Sequence, residues 1–220
     1  MVETRNYKKS ATKKSLLTGR LKRYIYLLLL IEGGSLMAVE LIGAKLIASY
    51  YGNSLYVWTA VLSVTLGGIA IGYYFGGVLS SKFPDIKKLL IIISISVLLV
   101  FIMPHTSDFI MTATLDLELR LGILISCLFF LMPPLICFGM VGPFVVRLAS
   151  TEMDKVGKVA GTVYFISTVG GIIATFLFGF YLIPFWGLKL STYTIAIALA
   201  VLPLLYFFNT ESGKEKSIED

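Results

Sequence analysis

The sequence predicts an all-α integral membrane protein with six transmembrane helices, on three observations. Of 220 residues, 57% are hydrophobic and only 15% are charged, against roughly 25% charged in an average globular domain. Mean hydropathy is +0.87. The apolar residues also fall in long blocks, and a helix needs about 20 such residues to cross a hydrocarbon core of about 30 Å. This much apolar surface excludes a disordered chain. With only Cys127 and Cys137, a disulfide scaffold is excluded as well. A strand reading fails because the blocks are too long and lack apolar–polar alternation.

A basic N-terminal arm, residues 1–23, precedes the first span at 24–49. A cleaved signal peptide is the competing reading of this region. Against it, the basic stretch is long, Glu32 interrupts the apolar run early, and no small-x-small cleavage site follows. The arm reads as a topology signal attracted to anionic lipid. No aromatic or Gly-rich pattern makes it a nucleic-acid arm.

The second span is 55–79 and the third, the shortest, is 88–103. His105 then follows Pro104 in an outer loop, as a solvated histidine with no second ligand for a metal. The fourth span, 121–146, contains Pro133, Pro134 and Pro143 with Gly139 and Gly142. Proline removes a backbone donor, so this helix should kink or break. Its two cysteines read as apolar fillers. Spans five and six are 159–183 and 188–208, and residues 209–220 form a polar tail.

Sixteen of the nineteen Lys and Arg residues share a side with both termini. The three on the other side are Lys45, Arg120 and Lys189. Basic residues collect on the cytoplasmic side, so both termini should be cytoplasmic in a plasma (inner) membrane. An even number of spans agrees.

A self-match points to an internal repeat. Thr65-Leu66-Gly67-Gly68-Ile69-Ala70 resembles Thr168-Val169-Gly170-Gly171-Ile172-Ile173, and Phe75-Gly76 resembles Phe178-Gly179. The offset is 103 residues, and it maps Gly68, Gly72 and Gly76 onto Gly171, Thr175 and Gly179. Small residues four apart share a helix face and admit a second backbone. Spans two and five run in opposite directions, so the repeat would be inverted, three spans plus three. This plan resembles half of a major facilitator transporter. Chance similarity between Gly-rich helices is the competing reading.

Span one alone carries acids at depth, Glu32 and Glu40. Eight residues apart, they differ by about 12 Å in height and roughly 80° around the helix, so they could line one side of a cavity. A buried acid costs a few kcal/mol on insertion scales and needs a partner or a water path. Lys45 is five residues from Glu40, outside i,i+4 pairing, and reads as snorkelling outward. Three readings of the acids stand open: satisfaction by neighbouring hydroxyls, holding of protons or a cation, and pairing with another subunit. Tyr50, Tyr51, Tyr56 and Trp58 cluster at the outer end, with Phe185 and Trp186 at the end of span five. They read as an interfacial belt or as an aromatic surround for an amine. No nucleophile–base pair, phosphate loop or zinc spacing is present in the sequence, and no cofactor is expected.

Further residues carry a family resemblance. Glu40-Leu41, Lys45-Leu46 and the run Tyr51-Gly52-Asn53-Ser54-Leu55-Tyr56-Val57-Trp58-Thr59 resemble the membrane part of spermidine synthase-like fusion proteins. So do Gly72-Tyr73-Tyr74-Phe75-Gly76-Gly77, Gly157, Ala160-Gly161, Tyr164, Ser167, Gly179-Phe180, Leu182-Ile183-Pro184 and Gly187. Such fusions join a domain like that of major facilitator transporters to a soluble aminopropyltransferase. The resemblance spans residues 25–208. It departs at Lys45 (Arg expected) and Ser49 (Pro expected), and Gly77-Val78-Leu79-Ser80-Ser81-Lys82, which resembles the loop between spans two and three of major facilitators, has Ser81 where that loop has Asp. The aminopropyltransferase residues have no counterpart here, so the resemblance implies no such catalysis.

The leading expectation is a membrane protein that binds or transports a polyamine or another small organic cation. Glu32 and Glu40 would bind the amine, and Tyr56 and Trp58 would sit near its outer mouth. Gly68, Gly72, Gly76, Gly171 and Gly179 would be helix-packing positions. Its partners would be the lipid bilayer, the cation, and a second copy or another membrane subunit. The alternative is a non-catalytic anchoring subunit of a larger membrane complex. A membrane enzyme using either acid as a base is the least favoured, because no His, Asp or Lys accompanies them at depth.

Overall fold

The structure, a computed structural model, describes residues 19–150 and 156–215, with side chains for 21–150 and 156–207. The basic arm up to residue 18, Lys155 and the side chains of the polar tail lie outside the described residues. Every described element is helical. Helix α1 is Gly19–Tyr51, so residues 19–23 begin the first helix. It ends where Gly52 turns to φ 77° and donates its N–H to the Ala48 carbonyl at 3.0 Å, a backbone angle that favours glycine. Helix α2 is Leu55–Lys82, capped by the Ser54 hydroxyl, which accepts from the Val57 N–H. Helix α3 is Ile86–Thr114, capped in the same way by Asp85 on Lys87 N–H at 3.1 Å.

The third helix corrects the expected end of span three. It runs through Pro104 and on to Thr114, so His105 lies on a helix and not in a loop. The hydroxyls of Thr106 and Ser107 bond back to the carbonyls of Met103 and Pro104. The His105 ring is within 3.2 Å of the Tyr193 hydroxyl. Hydroxyls and neighbouring helices of this kind let a proline persist inside a membrane helix.

The fourth segment does not break but stays helical from Leu119 to Ala149, with a π-helical turn just ahead of its proline pair. Helix α4, Leu119–Ser126, passes into a π-helical turn, Cys127–Leu131, before α5, Met132–Ala149. Pro133 falls in the first turn of α5, where a missing N–H is least disruptive. Helix α6 is Val156–Leu177, followed by a second π-helical turn, Phe178–Leu182, and by α7, Ile183–Glu215. Inside α7, Gly187 sits at φ 77° and ψ 175°, which is not helical.

Among the described residues, five helical stretches are long and apolar enough to cross a membrane: Leu21–Tyr51, Leu55–Lys82, Ile86–Thr114, Leu119–Ala149 and Val156–Phe207. The fifth contains the Gly187 break. Large apolar side chains such as Leu66, Phe109, Phe129, Phe165 and Ile197 face outward, where in water they would form patches far larger than a soluble monomer shows. The chain has the build of an integral membrane protein.

The helices pack as three principal pairs: α1 with α6, α2 with α5, and α3 with α7. Glycine makes the first two close. A Cβ on Gly72 would overlap the Ile136 carbonyl and lie 2.8 Å from the Gly139 Cα, and one on Gly76 would lie 2.7 Å from the Met140 Cα. Across the other pair, a Cβ on Gly170 would overlap the Leu30 carbonyl, and one on Gly33 would overlap Ser167. Apolar residues from α1, α3, α5 and α7, among them Leu28, Ile93, Phe138 and Leu199, fill the core between the pairs.

Candidate functional site

Glu32 is 3% exposed, on the face of α1 that meets α6. Its neighbour Gly33 brings the two backbones together, and this close approach puts Ser167 of α6 beside the acid. The Ser167 hydroxyl is the polar group that meets the Glu32 carboxyl. A carboxyl group buried in an apolar bundle is tolerable when such a donor meets it.

Ser167 also lines a groove of about 380 Å³ between α1, α2 and α6. Its walls include Met37, Ile69, Tyr73, Tyr164, Thr168 and Thr175. Tyr73 and Tyr164 meet edge to face, with ring centroids 6.4 Å apart at 64°. Tyr73 is near enough to Glu32 for the two to interact electrostatically. The groove therefore holds two aromatic rings and several hydroxyls, with a carboxyl group directly behind its Ser167 wall. Aromatic faces and a carboxylate together suit an ammonium group, and hydroxyls can accept its protons.

Glu40 is half-buried two turns further along α1. It does not line this groove, and among the described residues no hydrogen bond or ion pair holds it. Lys45 is exposed, as snorkelling requires.

The outer aromatic residues are otherwise engaged. Arg120 stacks on the Tyr56 ring at 5.1 Å, and Trp58 donates its Nε1–H to the Asn53 side chain at 3.0 Å. Both lie next to the α1–α2 connection, whose start at Tyr51 is 19 residues from Glu32, roughly 28 Å along the helix. The structure does not bring them to Glu32. Phe185 and Trp186 are exposed beside the Gly187 break.

Of the glycine positions, Gly68, Gly72 and Gly76 face α5 directly. Gly171 faces Met37, whose Cγ would lie 2.8 Å from an added Cβ. Gly179 is exposed in the second π-helical turn, and a Cβ there would make only an ordinary 3.6 Å contact with Leu41. Sequence reasoning did not assign the groove residues Tyr73, Tyr164 and Ser167 to the site. Tyr73 and Ser167 lie beside Gly72 and close to the Gly170-Gly171 pair. A polar or aromatic side chain near a close-packing glycine was the signal available.

Among the described residues, no group of three or more His, Cys, Asp and Glu is placed to hold a metal ion. The two cysteines are free, Cys127 buried and Cys137 half-buried. No protein-family model, no curated protein and no solved structure matches the chain.

Proposed function

We propose that this chain is a six-span membrane protein that binds a small organic cation in the groove between α1, α2 and α6. Glu32 is the counter-charge, and Tyr73 and Tyr164 are the aromatic walls. A polyamine is the class that the resemblance to the membrane half of spermidine synthase-like fusions suggests. The observation that carries this reading is the buried Glu32 carboxyl beside Ser167, a residue of the groove wall.

Two further points support the architecture. The 52 residues of Val156–Phe207 would extend about 78 Å as one helix, more than twice a bilayer core. Dividing them at Gly187 gives six spans with both termini on the basic, cytoplasmic side of the plasma membrane. The packing pairs also suit an inverted repeat of three plus three spans. Such a repeat exchanges α1 with the α4–α5 span, α2 with α6, and α3 with α7. It turns the α1–α6 pair into the α5–α2 pair and leaves α3–α7 paired with itself. The 103-residue offset even carries Gly33, whose carbonyl lies 3.4 Å from a Cβ on Gly171, onto Ile136, 3.7 Å from one on Gly68.

That correspondence bears on Glu32. The same offset carries Glu32 to Leu135 and Ser167 back to Val64, and both of these are buried and apolar. The fold packs the equivalent interface without an acid. On that correspondence helix packing does not require Glu32, which supports a ligand-binding role for it. Six spans are half of a twelve-helix transporter, so a homo-oligomer is the form in which this site would serve transport.

In detergent, spermidine should raise the melting temperature of the purified protein. Glu32→Gln should abolish that shift, and Glu32→Leu should fold as well while remaining unresponsive. If no polyamine stabilises the starting protein, the reading is wrong.

A further inference from the structure

Helices α1 and α6 approach closely at Leu30 and Gly170, where a Cβ would overlap a carbonyl. Up to about three turns toward their N-terminal ends, the same helices and the C-terminal part of α5 leave a gap between them. The result is a crevice of about 370 Å³, separate from the groove beside Glu32. Its floor is apolar, formed by Leu29, Val145 and Val163, all buried. Its rim carries Lys22 and Lys158, both exposed. Among the described residues neither ammonium has an acidic partner. Lys22 lies 5.7 Å above the Tyr26 ring, which holds the cation at the rim.

An apolar slot on the side of the bundle, with two cations at one end that no described acid neutralises, matches one occupant by shape and charge. We propose that the crevice holds an anionic phospholipid, its acyl chain along the floor and its phosphate between Lys22 and Lys158. Two like charges on one rim repel each other, and an anion between them reverses that term. The arrangement also lies on the side to which the basic residues assign the cytoplasm, where anionic lipid attracts lysine. The bound lipid would wedge α1 and α6 at their inner ends without touching the cation groove.

The test is native mass spectrometry of the full chain, purified in detergent and offered phosphatidylglycerol and phosphatidylcholine vesicles. The protein should retain one phosphatidylglycerol in preference to phosphatidylcholine. Lys22→Gln with Lys158→Gln should weaken that retention by about tenfold. Lys13→Gln with Lys14→Gln in the basic arm should leave it nearly unchanged. Equal retention of both lipids overturns the proposal, as does an equal loss in the arm variant. Displacement by inorganic phosphate alone would show a free-anion site and overturn the lipid assignment. Since both lysines are exposed, misfolding is readily checked by an unchanged melting curve without lipid.

Discussion

At the scale of single residues, the bundle turns on the side chain that glycine lacks. Gly72 and Gly77 are five apart on the same helix, yet an added Cβ meets backbone at the first and open space at the second. Gly72→Val should therefore lower the melting temperature sharply, with overpacking costing about 1–3 kcal/mol. Gly77→Ala should be neutral or stabilising by up to about 1 kcal/mol, because alanine is the better helix former. Thermal melts in one detergent compare the two, and equal losses would contradict the packing described. Glycines at spacing four were legible in the sequence as a close-packing face. Their partners were not, because which helices meet is a long-range choice that periodicity does not encode. Glu32 was legible too, as an acid in an apolar run. Its companions Ser167 and Tyr73 lie 135 and 41 residues away, and only the fold brings them near. The outer aromatic residues were placed at the site on local clustering alone, and local contacts with Arg120 and Asn53 engage them instead.

At the scale of elements, the breaks matter as much as the helices. Both π-helical turns lie in the second half of the chain, one before Pro133 and one before Pro184. An extra residue in a turn accommodates the missing proline donor and rotates the helix beyond it. The sequence announced the first through its proline pair. The separate break inside α7 depends on Gly187, whose backbone lies in a region that only glycine enters readily. Gly187→Ala should cost about 1–3 kcal/mol by forcing a Cβ into that region, whereas Gly157→Ala in open space should cost nothing. A melt that ranks them the other way would argue that α7 is not broken there. Helix α3 shows the opposite failing of sequence rules. Pro104 suggested an end, yet the helix continues, since nearby hydroxyls and α7 support it.

At the scale of the whole molecule, charge and shape serve different tasks. Large apolar side chains cover the outside of the bundle. Among the described residues, Glu32 is the deeply buried acid, and it sits on the face of α1 that meets α6. The membrane character was legible in composition alone, whereas the six-span count and the orientation are proposals that rest on hydropathy and charge. The groove was not legible, because it forms where α1, α2 and α6 fail to close, and that depends on packing across the chain. The central claim is that Glu32 draws a cation into that groove. The most direct measurement places a cysteine at Thr168, an exposed groove residue, in a protein with Cys127 and Cys137 replaced by serine. The rate of thiol labelling is then measured with and without spermidine. The account predicts that spermidine slows labelling, and that the protection disappears with Glu32→Gln but persists with Lys45→Gln. Labelling that spermidine leaves unchanged, or protection that survives Glu32→Gln, would contradict it.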